Sequence, residues 1–201
     1  LGGEEIASFV SMAVIVPTLI GAAIAVQLCK KYDKFKIFYF SYMFALILGI
    51  VRYIAGYENM MVYVILNALG GFPLGIAAIL QYQFTPDCYE YGQYKTGLKM
   101  RGVTFAAQTF FTKLNGAIAT AVSVFALTLI GFKEGEGVIQ AAGFADKLWT
   151  FSCLGSIIGG IGTLLILRLY KLNDHDVQLM SKCNNGEITR EEAEAQMINR
   201  Y

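Results

Sequence analysis

Lys113 lies in an apolar run from Gly102 to Phe132 that holds no other charge. Keeping an ammonium near the middle of a bilayer costs about 2.5–3.5 kcal/mol, and groups kept at such depth mark ligand or ion pathways. Read at helical spacing, Thr109, Lys113, Gly116, Thr120 and Ser123 share one face, at i, i+4, i+7, i+11 and i+14. Gln108, Thr112 and Asn115 widen that stripe, while Phe110, Phe111, Leu114, Ile118 and Phe125 lie mostly away from it. A helix polar on one side and aromatic on the other, inside lipid, is expected to line a wet cavity where a substrate binds. The competing reading is a lysine that extends its stem to the interface, or a polar contact between helices. The 15 Asp and Glu residues all fall in loops, tails or helix ends. Lys113 therefore either faces water or meets a counter-charge on helices outside this chain.

A second concentration of polar groups precedes it. Asp87, Glu90, Tyr91, Gly92, Lys95, Thr96, Gly97 and Arg101 crowd between two apolar runs. Charges of both signs can lock a loop against neighbouring helix ends and release it in another conformation. A solvated loop whose cations only set topology would look the same, and spacing does not separate the two.

Other chemistry is excluded by pattern. Asp174-His175-Asp176 lacks the further ligands a metal needs. Four cysteines, Cys29, Cys88, Cys153 and Cys183, have neither zinc-finger nor CxxC spacing and are expected as free thiols. No GxSxG, HExxH or P-loop pattern is present, so neither an enzyme nor a protein-bound cofactor is expected. A net charge of +1 gives no basic face for nucleic acid.

These groups must be positioned by membrane helices. The chain is 56% hydrophobic and only 15% charged, against about 25% charged in soluble domains. Crossing a bilayer takes about 20 apolar residues. Five segments qualify, at about 6–28, 37–57, 60–85, 102–132 and 148–167. The expected fold class is all-α and polytopic, with a polar tail over 171–201. Pro17 suggests a kink in the first span, and Pro73 a bend in the third, where Gly70, Gly71 and Gly75 cluster. Gly155 and Gly159 have small-xxx-small spacing for helix packing. Arg52 is expected to stretch to the headgroups. Trp149 and Tyr170 bracket the fifth span as interfacial anchors. Pro86 to Arg101 reads as a charged loop, and Lys133 to Lys147 as a mildly acidic one (Glu134, Glu136, Asp146). Thr189-Arg190-Glu191-Glu192 fits a capping box for a short surface helix.

Lys30, Lys31, Lys34 and Lys36, then Lys95, Lys99 and Arg101, then Arg168 and Lys171 fall on one side of this arrangement. That side is expected to be cytoplasmic, tail included. An odd number of spans starting outside, with no initiator Met, suggests a piece of a longer chain whose earlier helices are missing.

The residues PDCYEYGQYKTGLKMRG, then AAQTFFTKLNGAIATA and LIGF, resemble the glycoside–pentoside–hexuronide:cation symporters, the melibiose permease-like branch of the major facilitator superfamily. Asp87, Glu90, Tyr91, Gly92, Gln93, Tyr94, Lys95, Thr96 and Gly97 match that family's D-x-x-[DE]-Y-G-[EQ]-[WY]-K-T-G loop after its tenth helix. Gln108, Thr109 and Lys113 match a Q-[ST]-x-x-x-K run in the eleventh, and Arg168, Leu169, Tyr170 and Leu172 an R-[FL]-Y-x-L ending. The resemblance covers nearly the whole chain, as helices eight to twelve of a twelve-helix fold in the cell membrane. It implies sugar symport with sodium or protons by alternating access. On this half, sugar contacts would come from Gln108, Thr109, Thr112 and Lys113, with Gly116 and Thr120 lining the cavity. The acidic cation site would lie in the missing N-terminal half. Relatives of the same fold that move lysolipids, and a non-transporting structural or sensing subunit, are the alternatives.

Overall fold

The computed structural model describes residues 4–133, 135 and 140–201, and of residues 4–7 only the backbone. The acidic residues Glu134 and Glu136 lie outside the described residues. Eight helices are present among the described residues: α1 (Glu4–Leu28), α2 (Lys34–Ala55), α3 (Met60–Leu80), α4 (Phe84–Thr96), α5 (Arg101–Leu129), α6 (Phe144–Leu167), α7 (Asp174–Asn184) and α8 (Arg190–Gln196). Five stretches are long and apolar enough to cross a membrane: α1 from Ser8, α2, α3 with its continuation into α4, α5 and α6.

Local chemistry fixes the helix starts. Asp33 accepts from Phe35 N at 2.9 Å to cap α2. Asn59 accepts from Met61 N and Val62 N at 3.0 and 3.2 Å to cap α3. Both Pro17 and Pro73 lie inside continuous helices. Ser41 Oγ donates to Pro73 O at 3.0 Å and ties α2 to α3 there.

The body is built on the α1–α3 crossing. A Cβ on Gly71 would stand 2.5 Å from Val14 O, and Gly21 and Gly75 lie directly on the backbones of Phe72 and Thr18. Glycine is required there because the two backbones touch. Gly70, by contrast, faces open space. α2 packs on α3 and α6. Its contact with α6 runs through Gly160 against Leu46 and Gly49 against Ile157, whereas Gly155 and Gly159 meet nothing. The small-residue contact expected at Gly155 and Gly159 is thus made one position along, because the face of α6 toward α2 is set by Leu46. Ala25, Phe38, Ile76 and Leu80 form the buried core near the end of the body that carries the basic loop.

Arg52, expected to stretch to the headgroups, meets groups of its own chain. Its Nη1 donates to Asn67 Oδ1 at 3.1 Å, and its guanidinium lies 5.2 Å from the centroid of the Trp149 ring. Trp149 also packs on Tyr57 and Tyr63, so it anchors α6 to α2 and α3.

Two elements depart from the sequence reading. The stretch expected as a loop from Pro86 to Arg101 is helical up to Thr96, leaving only residues 97–100 as linker. Pro86 falls in the first helical turn, where a missing N–H is harmless. Gly97, at φ 71°, ends the helix, its N–H bonded to Gln93 O at 2.8 Å. The tail is also more ordered than expected. It holds α7 as well as the capping-box helix α8, whose Thr189 and Glu192 cap each other reciprocally.

Candidate functional site

The α4 helix is amphipathic by partner rather than by apolarity. Thr85, Asp87, Gln93 and Tyr94 are buried because α7 and the tail lie across it. Lys34 Nζ stands 2.7 Å from Asp87 Oδ1 and 3.1 Å from Asp174 Oδ1. The Asp87 side chain is 5% exposed and that of Lys34 17%. Tyr170 Oη donates to Asp87 Oδ2 at 3.3 Å. Around this ion cluster the backbone is cross-capped. Lys34 N donates to Asp174 Oδ2, and Asp174 N donates to Asp33 Oδ2, each at 2.8 Å. Each aspartate thereby neutralises the N-terminus of the other's helix. Phe35 stacks on Tyr170 at 5.3 Å, and Phe84 meets the same ring edge-on at 5.2 Å. Tyr170 is therefore packed between α2 and α4.

Further along α4, Asn184 Nδ2 donates to Glu90 Oε2 at 2.8 Å and Glu90 O at 2.9 Å. Tyr91 packs on Tyr201 at 5.7 Å. Tyr94 Oη donates to Glu194 Oε1 at 3.0 Å beneath the Arg190 guanidinium, 4.8 Å from its ring. Asp176, fully buried, accepts from Ile198 N (2.8 Å), Asn199 N (3.0 Å), Asn173 Nδ2 (2.7 Å) and Tyr201 Oη (3.0 Å). Burial pushes its carboxyl upward. The backbone donors of Ile198 and Asn199, with Asn173, outweigh that and hold it below the usual carboxylate range.

The structure thus splits the expected gate residues. Asp87, Glu90 and Tyr91 are engaged with α2 and the tail. Gly92 faces open space, and Lys95, Thr96, Gly97 and Arg101 are exposed. Thr96 Oγ1 donates to Gly92 O at 2.8 Å, and Arg101 lies over Phe105 at 5.8 Å. The cation that pairs with Asp87 is Lys34, which sequence reasoning counted only as a topology signal.

The stripe on α5 is placed differently. Only Ala126 of this helix is buried, and its main contact is with α4. Thr109, Thr112 and Thr120 donate to Phe105 O (3.0 Å), Gln108 O (2.8 Å) and Gly116 O (3.0 Å) of their own helix. Gly116 faces open space. Lys113 is exposed and forms no ion pair among the described residues. Apart from the half-buried Gln108 the whole stripe is exposed; the chain's own helices leave it open.

The first 174 residues match the family model described as MFS/sugar transport protein. Among curated proteins, the chain is 25% identical over 185 residues to the "Putative sulfoquinovose importer" of Escherichia coli strain K12, covering 88% of this chain and 38% of that protein. It is 22% identical to the "Putative glycoside/cation symporter YagG" of the same strain, covering 82% of this chain and 36% of the relative. It is 21% identical to the "Inner membrane symporter YicJ" of that strain, covering 81% and 35%. The chain therefore spans little more than a third of the length of these relatives. No solved structure matches it. With five membrane-crossing helices and a family match over most of its length, the chain is a multi-pass membrane protein of the MFS/sugar transport protein family, whose matched relatives are transporters and not enzymes.

Proposed function

We propose that the chain is the C-terminal part of a sugar symporter driven by sodium or protons, working by alternating access around a site near the bilayer midplane. The family match and the symporter relatives support the class. One observation carries the site: Lys113 stands on a membrane helix with no acidic partner among the described residues. An ammonium so placed is stabilised by water, a ligand or a partner half. In this reading α5 turns Gln108, Thr109, Thr112, Lys113, Gly116 and Thr120 toward a cavity closed by helices outside this chain. The threonine hydroxyls, already donating to their own backbone, keep oxygen lone pairs for sugar hydroxyls. The coupling-ion carboxylates are supplied by the other half. At the basic end, the Lys34–Asp87–Asp174 cluster holds α4 as part of the inner gate, on the cytoplasmic side of the cell membrane.

The test is sugar uptake by the full-length protein in vesicles with an imposed sodium or proton gradient. Lys113→Ala is expected to lower cation-driven uptake at least tenfold with unchanged membrane abundance. Normal uptake by that variant would remove Lys113 from the mechanism.

A further inference from the structure

At the basic end of the body, a cleft of about 960 Å³ opens between the α1–α2 loop and the tail. Its permanent cations are Lys30, Lys31, Lys36, Lys171 and Arg200. None of the five is in an ion pair among the described residues. Two carboxylates, Asp33 and Asp174, share the lining, and both are already committed. Asp33 caps α2 and accepts from Asp174 N, while Asp174 is bonded to Lys34. The cleft therefore offers unneutralised positive charge.

A second cavity of about 420 Å³ adjoins it along the membrane face of the body. Its wall is Leu28, Ile37, Phe40, Phe44, Phe72 and Ile76, over the buried Pro73. Away from the mouth its one hydroxyl, on Ser41, is already donated to Pro73 O; the other, on Tyr32, lies where the two cavities meet. Tyr32 and Lys36 belong to both cavities. A cationic mouth thus passes directly into an apolar groove through one lysine and one tyrosine.

A soluble anion would use the mouth and leave the groove empty. A neutral acyl chain would use the groove and leave five cations without a counter-charge. A molecule with a phosphate at one end and a hydrocarbon chain at the other satisfies both. We infer that the cleft and groove together bind one anionic glycerophospholipid, its phosphate held by Lys31, Lys36 and Lys171 and one acyl chain laid over Phe40 and Phe44. Lysine beside an anionic leaflet contributes attraction of this kind, and the long lysine stems suit a headgroup at the interface. The tail contributes Lys171 and Arg200, so a bound lipid would also bridge α2 to the segment that holds α4. This site lies away from the α5 stripe and does not depend on the sugar reading.

The experiment is native mass spectrometry of the full-length protein, released from detergent micelles doped with phosphatidylglycerol or phosphatidylcholine. At least tenfold greater retention of phosphatidylglycerol is expected. The triple change Lys31→Gln, Lys36→Gln, Lys171→Gln should abolish that preference, while Lys182→Gln, on the tail outside the cleft, should keep it. If the triple variant is not monodisperse, Lys36→Gln alone serves, with at least threefold loss expected. Equal retention of the two lipids, or a preference that survives loss of the lysines, overturns the site. So does displacement of the lipid by equimolar glycerol 3-phosphate, which would make the ligand a soluble phosphate that ignores the groove.

Discussion

At the scale of single residues, Lys34 decides how α4 is held. It brings one charge to two carboxylates, one of them almost fully buried. A buried pair adds little over an apolar pair of the same shape, but removing one partner strands the other. Lys34→Met leaves Asp87 in a dry setting with only the Tyr170 hydroxyl. The full-length protein should then lose about 3 kcal/mol of stability, measured as a lowered midpoint of thermal unfolding. Changing Asp87→Leu together with Lys34→Met should recover most of it. A single change no more damaging than the double one would show that the pair holds nothing. The sequence could not reveal this pairing. Lys34 is one of four lysines in a short loop, and nothing in their order distinguishes the one aimed at Asp87. Lys113 stood out because it was alone in an apolar run, a one-dimensional signal. Lys34 needed the third dimension.

At the scale of elements, legibility follows the apolar runs. The five spans were readable because burial in lipid is written as run length. α4 was misread because its polar composition suits a loop; its buried face is covered by α7 rather than marked by an apolar run. α7 itself was missed because Val177, Leu179 and Met180 make a short buried face rather than a run. The tail's order rests on Asp176, whose four donors come from the α7 cap and the last four residues. Two other ionisable groups stand beside it, the Tyr201 hydroxyl at 3.0 Å and His175 Nδ1 at 3.2 Å. The carboxyl sits below its ordinary value near 3.8 when folded. A depressed carboxylate contributes stability that is full above the unfolded value and is lost as pH falls through the folded one. The amides of Ile198 and Asn199 should therefore stay protected from exchange, after correction for intrinsic rates, from neutral pH down to about 4, and lose protection below it. Asp176→Asn should remove that protection at neutral pH as well. Unchanged protection in that variant would place the tail's order elsewhere.

At the scale of the whole molecule, the contrast lies between a body closed on itself and a helix that is not. α1, α2, α3 and α6 meet through backbone-close glycines and shared aromatic contacts, whereas α5 keeps nearly all its surface open. Its two sides differ in kind: hydroxyls, two amides and an ammonium on one, Phe110, Phe111, Ile118 and Phe125 on the other. If the rest of a longer chain closes a wet cavity against the polar side, that side meets water and the aromatic side meets lipid or packed helix. Cysteines introduced one at a time into a full-length background with Cys29, Cys88, Cys153 and Cys183 replaced by serine read this directly. Thr109→Cys and Thr120→Cys should react with a small charged thiol reagent at least tenfold faster than Ile118→Cys and Phe125→Cys. Adding transported sugar should slow the first pair only. Because α4 and α5 are joined by just residues 97–100, and Lys34 fixes α4, breaking that ion cluster with Lys34→Met should also change the Thr109→Cys rate. Equal rates on the two sides of the helix would mean that the stripe packs against protein. The ammonium at Lys113 would then be a contact between helices rather than a wall of the pathway.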